Sequence, residues 1–337
     1  MQPIVRVAGL RHALPVGLET VADIEARIRH ATGRLPVPSG ILASISGLAT
    51  RTIVGDGEHP STLAAAAGRR ALADAGWDAA DVDLLVFAST SQDQIEPATA
   101  HIVANELGVA GGSVFDVKNA CNSFVDGIRV AEGLVATGQA KRALVVTGET
   151  PTLAANYAVR TRREFRDSFI GFTVGDAGGA VALEPSDDER GVFYTHVWSA
   201  SQHWEVTGVP GGGSRHPRGD EYTYARGDGG MLRDIVRAFD PAIALRAYAA
   251  TNTTVDDYAL FVIHQVTGPF TDEMIGRLGL PPSRVARTIE QHGNIAAATF
   301  PVAVDQARQA GRIRRGDRVL FVGLGAGISV ATLALRL

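Results

Sequence analysis

Continuous apolar runs alternate with amphipathic stretches along most of the chain. Asp83-Leu-Leu-Val-Phe-Ala-Ser-Thr90 is apolar without alternation, the pattern of a strand covered on both faces. Before it, residues 64–75 predict a helix ended by Gly76. After it, Pro97 sits in the first turn of a helix over 98–107 that stops at Gly108. A strand over 113–117, a helix over 122–137 and a strand over 142–148 follow. The second half predicts a long helix over 231–250, a buried strand over 258–264 and a helix over 271–278. A strand over 284–289, a helix over 294–310 and strands over 318–323 and 328–335 complete it. Strands alternating with helices in this way argue for an α/β fold.

The halves are in register with each other. Ser89 and His264 lie 175 positions apart, as do Gly148 and Gly323, and Cys121 and Asn294 lie 173 apart. The near-constant shift points to an internal duplication around a pseudo-two-fold axis, with chance similarity of generic βα units as the competing explanation. The expected division is 1–185, carrying Cys121, and 186–337, carrying His264 and Asn294. Two stretches stand outside the repeat. Residues 160–169 are charged and aromatic and predict a helical insertion. Residues 207–224, with Pro210-Gly-Gly-Gly213, predict a flexible surface loop that is either a bystander or a cover over a site entrance.

Composition narrows the class. The 337 residues are 45% hydrophobic and 20% charged, with a formal net charge of −4, so a soluble globular chain is expected and a polyanion partner is not. No basic run interleaved with aromatics suggests nucleic acid. A single cysteine excludes an internal disulfide and fits a reducing cytoplasmic compartment. The N-terminal Met1-Gln-Pro-Ile-Val-Arg-Val pattern is that of a strand, and no apolar stretch reaches the roughly 20 residues of a membrane span.

That cysteine, Cys121, stands where the 113–117 strand turns into the 122–137 helix. A thiol there faces the positive end of the helix, which would lower its pKa and make it a nucleophile; a small buried hydrophobe is the bland reading. His264 ends a buried strand, where a satisfied core histidine is the ordinary explanation. Asn294 follows His292-Gly293, where a turn residue or helix cap is ordinary. Together, at equivalent strand ends of a duplicated scaffold, they offer a nucleophile, an imidazole and an amide that can converge. The turn Gly323-Leu-Gly-Ala-Gly327 is followed by a strand rather than a helix, so it is not a dinucleotide loop; it lets backbone N–H groups approach a ligand oxygen.

The segments Asp116 to Phe124, His264-Gln265-Val266, His292-Gly-Asn-Ile-Ala-Ala-Ala-Thr-Phe-Pro301 and Gly323 to Gly327 resemble the ketoacyl-carrier-protein synthase III branch of the thiolase superfamily. The resemblance runs along essentially the whole chain and implies a five-layered αβαβα thiolase fold, usually homodimeric. It makes Cys121 the acyl-accepting thiol, His264 and Asn294 the carbonyl-binding pair, and the backbone N–H groups of Cys121 and Ala326 an oxyanion hole. Ile95-Glu96-Pro97-Ala98-Thr99-Ala100, Thr147-Gly-Glu-Thr150 and Arg163-Glu-Phe-Arg166 are similar to the head-to-head condensing enzymes of olefin and β-lactone biosynthesis. In that sub-branch a glutamate at the position of Glu96 acts as a general base in the partner's active site; otherwise Glu96 is a carboxylate near a helix N-terminus.

The implied substrates are acyl-CoA or acyl-carrier-protein thioesters, with no metal and no permanently bound cofactor. The implied reaction is a Claisen condensation to a β-keto product. The alternative is acyl transfer to an oxygen or nitrogen nucleophile such as a sugar or amine, and a third reading is a non-catalytic partner subunit that donates Glu96. Three departures stand out: Val266-Thr267 after the His-Gln pair, Pro269 where a docking arginine is common, and no Trp and Arg for an adenine sandwich in residues 41–48.

Overall fold

A computed structural model describes residues 4–32, 37–187 and 190–337. Among them nine strands form one sheet system. Its order is Leu260–Ile263, Arg318–Gly325, Ser329–Arg336, Gly191–Ser199, Ile4–Ala13, Ala177–Ser186, Ala143–Glu149, Leu84–Ala88 and Ser113–Val117. The two halves of this system meet only through the bridge Val5 to Val192, between Ile4–Ala13 and Gly191–Ser199. Each half then repeats one plan of parallel and antiparallel pairs, in which Leu84–Ala88 corresponds to Leu260–Ile263 and Ala143–Glu149 to Arg318–Gly325.

Alternation along each strand sorts side chains into layers. Val86 and Val145 from the first half and Leu260 and Phe321 from the second face a shared central layer. Phe124 and Ile128 of the helix Ser123–Ala136, with Phe300 and Val304 of the helix Thr299–Gln309, fill it. Leu85 and Phe87 face outward beneath the helices Pro60–Ala75 and Thr99–Leu107. Phe261 and Ile263 face outward beneath Ala242–Thr251 and Gly268–Arg277. The result is the expected five-layered αβαβα thiolase fold with its internal duplication.

The abundance of glycine and alanine has a mechanical role at the helix Pro60–Ala75. A Cβ on Gly148 would lie 1.8 Å from the Pro60 carbonyl oxygen, and one on Gly178 would lie 2.4 Å from that of Leu63. The helix backbone therefore rests directly on the sheet, at a spacing that only glycine permits.

Three expectations need correction. Residues 284–289 do not form a strand. Pro281 and Pro282 supply no N–H groups, Val285 makes one isolated bridge to Phe261, and the Gln265 side chain captures the Thr288 and Ile289 amides. The helix expected over 231–250 is two, Gly229–Ala238 and Ala242–Thr251, because Pro241 cannot continue the first. Asn294 precedes its helix rather than joining it; a 3₁₀ turn, Ala296–Ala298, leads into Thr299–Gln309. Residues 207–224 are folded on themselves: Gly211 N–H donates to the Tyr222 carbonyl at 2.7 Å, and the His216 and Tyr222 rings stack 3.8 Å apart. The 160–169 insertion contains the helix Arg162–Asp167.

Gly148→Ala should lift the helix Pro60–Ala75 off the sheet and cost about 1–3 kcal/mol or more, the usual penalty for overpacking. Thermal melting should fall by several degrees; an unchanged midpoint would contradict this close approach.

Candidate active site

Cys121 sits at a corner held on two sides. Ser123 closes the turn from within: its hydroxyl donates to the Ala120 carbonyl at 2.6 Å and accepts from the Asn119 N–H at 2.8 Å. Asn122 ties the corner to the other half of the chain, donating from Nδ2 to the Ser329 carbonyl at 3.1 Å and to its hydroxyl at 2.9 Å. Asn122 is wholly buried, and its Oδ1 would meet a Cβ on Gly323 at 2.1 Å. The Cys121 corner and the Gly323–Gly327 turn are thus in direct contact.

His264 joins them from the neighbouring strand. Its N–H donates to the Val322 carbonyl at 2.9 Å, which places it beside Gly323. The side chain is buried, and its Nδ1 has no partner among the described residues. Gln265 braces this strand end with its whole amide: Nε2 donates to the Ala286 carbonyl at 2.9 Å, and Oε1 accepts from Thr288 and Ile289 N–H at 3.0 and 3.1 Å. That bracing leads through His292-Gly293 to Asn294. The Asn294 N–H donates to the Thr173 carbonyl at 2.8 Å, and its own carbonyl accepts from Gly175 at 3.0 Å. Its Oδ1 is occupied by the Ala296 N–H at 3.1 Å, so Nδ2 is the group left to donate. Behind Thr173, the buried Arg51 guanidinium donates to Glu19 at 2.8 Å and to the Gly171 and Val174 carbonyls at 3.1 and 3.2 Å, fixing the strip on which Asn294 hangs.

Backbone strain gathers here. Among the described residues four non-glycines have positive φ, and three flank these groups: Ala120 (48°) before Cys121, Ala296 (46°) after Asn294, and Ile328 (56°) after the Gly323–Gly327 turn. The left-handed region is unfavourable for an alanine and more so for a β-branched isoleucine, and such strain clusters at functional sites. Ala326 lies within that turn, half-buried.

The electrostatics correct one expectation. Cys121 is half-buried, and its thiol is pushed up to about 12, first by desolvation and then by the Glu149 carboxylate; its own backbone N–H opposes this without prevailing. The helix N-terminus therefore does not produce a resting thiolate. Burial pulls His264 down to about 4, so its imidazole is neutral at pH 7. Both groups rest uncharged because neither has an opposite charge to offset desolvation.

A cleft of about 950 Å³, partly open to solvent, adjoins these residues. Thr173, which holds Asn294, and Val266 and Thr267, which follow His264, line its inner part, while Arg163, Arg166 and Arg233 lie along it. Ser44 and Thr207 also line it, so the folded 207–224 segment stands at the cleft. A second, small cavity of about 50 Å³, mainly apolar, reaches His264 between Phe239, Met274, Leu278 and Val330.

Glu96 stands apart from the other three. It is exposed and makes no hydrogen bond or ion pair among the described residues, in a loop stapled by Asp93, whose carboxylate accepts from the Ser61 N–H at 2.9 Å and hydroxyl at 2.6 Å. Asp116, on the strand Ser113–Val117, accepts from Thr99 and Ala100 N–H at 3.0 and 2.8 Å and holds the loop's far end. That strand pairs on one side only, with Leu84–Ala88, and forms a free edge of the sheet. Sequence reasoning did not single out Asn122, Ser329 or Glu149. Asn122 and Glu149 lay inside motifs quoted for other reasons, while nothing along the chain marks Ser329.

Among the described residues no helix is long and apolar enough to cross a membrane, and no group of acidic, histidine or cysteine side chains is arranged to hold a metal. Family models match over two stretches, 3-oxoacyl-[acyl-carrier-protein] synthase III at residues 115–201 and its C-terminal part at residues 248–337. The chain is 32% identical to β-ketoacyl-[acyl-carrier-protein] synthase III of Rhizobium meliloti and 34% identical to that of Rhodospirillum rubrum, each alignment covering 98% of both proteins. Among solved structures it is similar to cerulenin-bound OleA of Xanthomonas campestris, with a TM-score of 0.89 and 28% identity over 99% of this chain and 97% of that one. It is also similar to a cysteine-to-serine variant of OleA with bound lauric acid and lauroyl-CoA, with a TM-score of 0.87 and 27% identity over the whole of both chains. Two family-model matches, about one-third identity along nearly the whole length of such synthases and the close structural likeness place this chain in the 3-oxoacyl-[acyl-carrier-protein] synthase III family, as a thiolase-fold transferase.

Proposed function

We propose that the protein condenses two acyl thioesters through an acyl-Cys121 intermediate, and that the carrying observation is the lock between the Cys121 corner and the Gly323–Gly327 turn. Cys121 sulfur attacks the first thioester, its proton leaves with the departing thiol, and the acyl group stays on sulfur. The N–H groups of Cys121 and Ala326 are suited to the oxyanion of that step; such a donor is worth about 10²–10³ in rate. The neutral imidazole of His264 and the uncommitted Nδ2 of Asn294 then take the carbonyl of the second thioester as hydrogen-bond donors. A base removes the α-proton, the carbanion attacks the acyl carbon, the carbon–carbon bond forms and the Cys121 bond breaks to release a β-keto product.

Glu96 is our choice for that base, acting on the partner subunit's site in a homodimer. Its side chain is free within its own chain, and its loop is held against the free edge strand Ser113–Val117, where a second copy would pair. Solved variants of OleA alter a glutamate, a cysteine and a histidine at nearly the spacing of Glu96, Cys121 and His264. The bound lauroyl-CoA in OleA supports an acyl-CoA or carrier-protein thioester as donor, and the cleft arginines suit the phosphates of either. In this reading the chain divides near residue 185 into the half bearing the nucleophile and the half bearing the carbonyl-binding pair. It acts as a cytoplasmic enzyme without metal or resident cofactor.

Mass spectrometry after incubation with acyl thioesters should show an acyl adduct that Cys121→Ala abolishes. Glu96→Gln should load acyl at the normal rate yet stall before carbon–carbon bond formation. If that variant turns over fully and the product is an ester or amide of unchanged acyl length, acyl transfer to an oxygen or nitrogen nucleophile is the reaction instead.

The resting thiol makes a separate prediction. With a value of about 12, alkylation of Cys121 by iodoacetamide should climb about tenfold per pH unit from pH 7 to 10 without levelling. A plateau near pH 8 would show a thiol of ordinary acidity.

A further inference from the structure

A carboxylate with no cationic partner is buried beside the nucleophile. Glu149 ends the strand Ala143–Glu149 with no solvent exposure. Uncharged donors surround it: Thr90 N–H reaches Oε1 at 2.8 Å, Ser91 N–H and hydroxyl reach Oε2 at 3.2 and 3.1 Å, and the Thr147 hydroxyl reaches Oε1 at 3.4 Å. The Ser91 hydroxyl also accepts from the Thr150 N–H at 3.0 Å, so the turn and the strand end are laced in both directions. The Glu149 carboxyl is near enough to act electrostatically on the Cys121 thiol, and the Ser89 N–H beside this turn donates to the Val117 carbonyl at 3.3 Å, at the end of the strand that leads to Cys121. Burying a carboxylate with no compensating cation is a poor way to stabilise a fold, and such groups are concentrated at reacting centres.

The turn that Glu149 holds is the root of the Glu96 loop. Downstream, Asp93 and Asp116 staple the loop at Ser61 and at Thr99–Ala100; upstream, Glu149 fixes it together with the Ser89 hydroxyl, which accepts from the Ser91 N–H at 3.2 Å. We propose that Glu149 is a positioning residue, a buried carboxylate that pins the Thr90–Ser91 turn beside Cys121 and thereby sets where the Glu96 loop is presented. The inference rests on Glu96 acting as the base. It adds a coupling: the group that shapes the surroundings of one Cys121 also aims the carboxylate serving the partner subunit's Cys121.

The test uses the full-length protein and four variants: Glu149→Gln, Ser91→Ala, Glu96→Gln and the Glu149→Gln/Glu96→Gln double. Acyl loading on Cys121 and single-turnover condensation are followed separately. Glu149→Gln should load acyl within about twofold of wild type but condense roughly 10- to 100-fold more slowly, the scale of a misplaced reacting group. Added to Glu96→Gln it should slow condensation by no more than about a further twofold, since both changes act through one carboxylate. Ser91→Ala, which removes one hydroxyl but leaves the Glu149 carboxyl in place, should give a smaller loss in the same step.

Effects of Glu149→Gln and Glu96→Gln that multiply, or a Glu149→Gln variant with wild-type condensation, would overturn the proposal. Should Glu149→Gln not fold, Ser91→Ala decides, and wild-type condensation by it is equally fatal. A full-rate Glu96→Gln variant would remove the base reading itself, and this inference with it; that failure is read from the single variant alone.

Discussion

The arrangement depends on one contact between residues more than 200 positions apart. The Asn122 amide spends both its hydrogens on Ser329, across the seam between the duplicated halves. It can come so close because Gly323 presents no side chain. Without that contact each half would still be an ordinary α/β layer with a reactive group at a strand end. With it, the sulfur, the imidazole beside Gly323 and the turn bearing Ala326 share one frame. Buried polar bonds of this kind contribute little net stability when satisfied and cost a good deal when broken, which makes them better at specifying geometry than at stabilising a fold.

The site's electrical character follows from dryness rather than from charge pairing. The sulfur and the imidazole both rest neutral, the one held above and the other below its ordinary range by desolvation. A helix N-terminus offers about half an elementary charge, screened by nearby solvent and weakened within a turn. Here the helix begins at Ser123, two residues beyond the sulfur, and Glu149 adds an opposing field. In the proposed condensation the thiol therefore has to lose its proton in the course of reaction. The His264 imidazole stays uncharged through the neutral range.

Layer order and most elements were legible in the hydrophobic pattern, because strands covered on both faces lose their alternation and helices between them keep theirs. Leu84–Ala88 and Ser123–Ala136 lie within a residue or two of their expected bounds. What failed were places where a single group overrode the pattern. Pro241 divided a helix whose apolar periodicity ran straight through it. Gln265 took two backbone amides that a strand over 284–289 would have needed, a long-range capture with no local signal. The candidate site was legible in part: Cys121 and His264 follow strands that the duplication marks, whereas Asn294 follows a short helix, Ile289–His292, where a strand was expected. The acidity of the thiol was not, since burial is a property of the assembled layers. Nor was the solitude of Glu96 within its own chain, which depends on where the Asp93 and Asp116 staples leave the loop.

The seat of the helix Pro60–Ala75 constrains how this scaffold changes over evolutionary time. Main chain lies directly on main chain there, so that face of the sheet has no slack to lend to a bound hydrocarbon tail. Room has to come from the inserted helix Arg162–Asp167, the folded 207–224 segment and the helices bordering the two cavities. Substitutions that resize a cavity without unseating this helix are thereby confined to those peripheral segments, because a Cβ added at Gly148 or Gly178 would meet helix backbone.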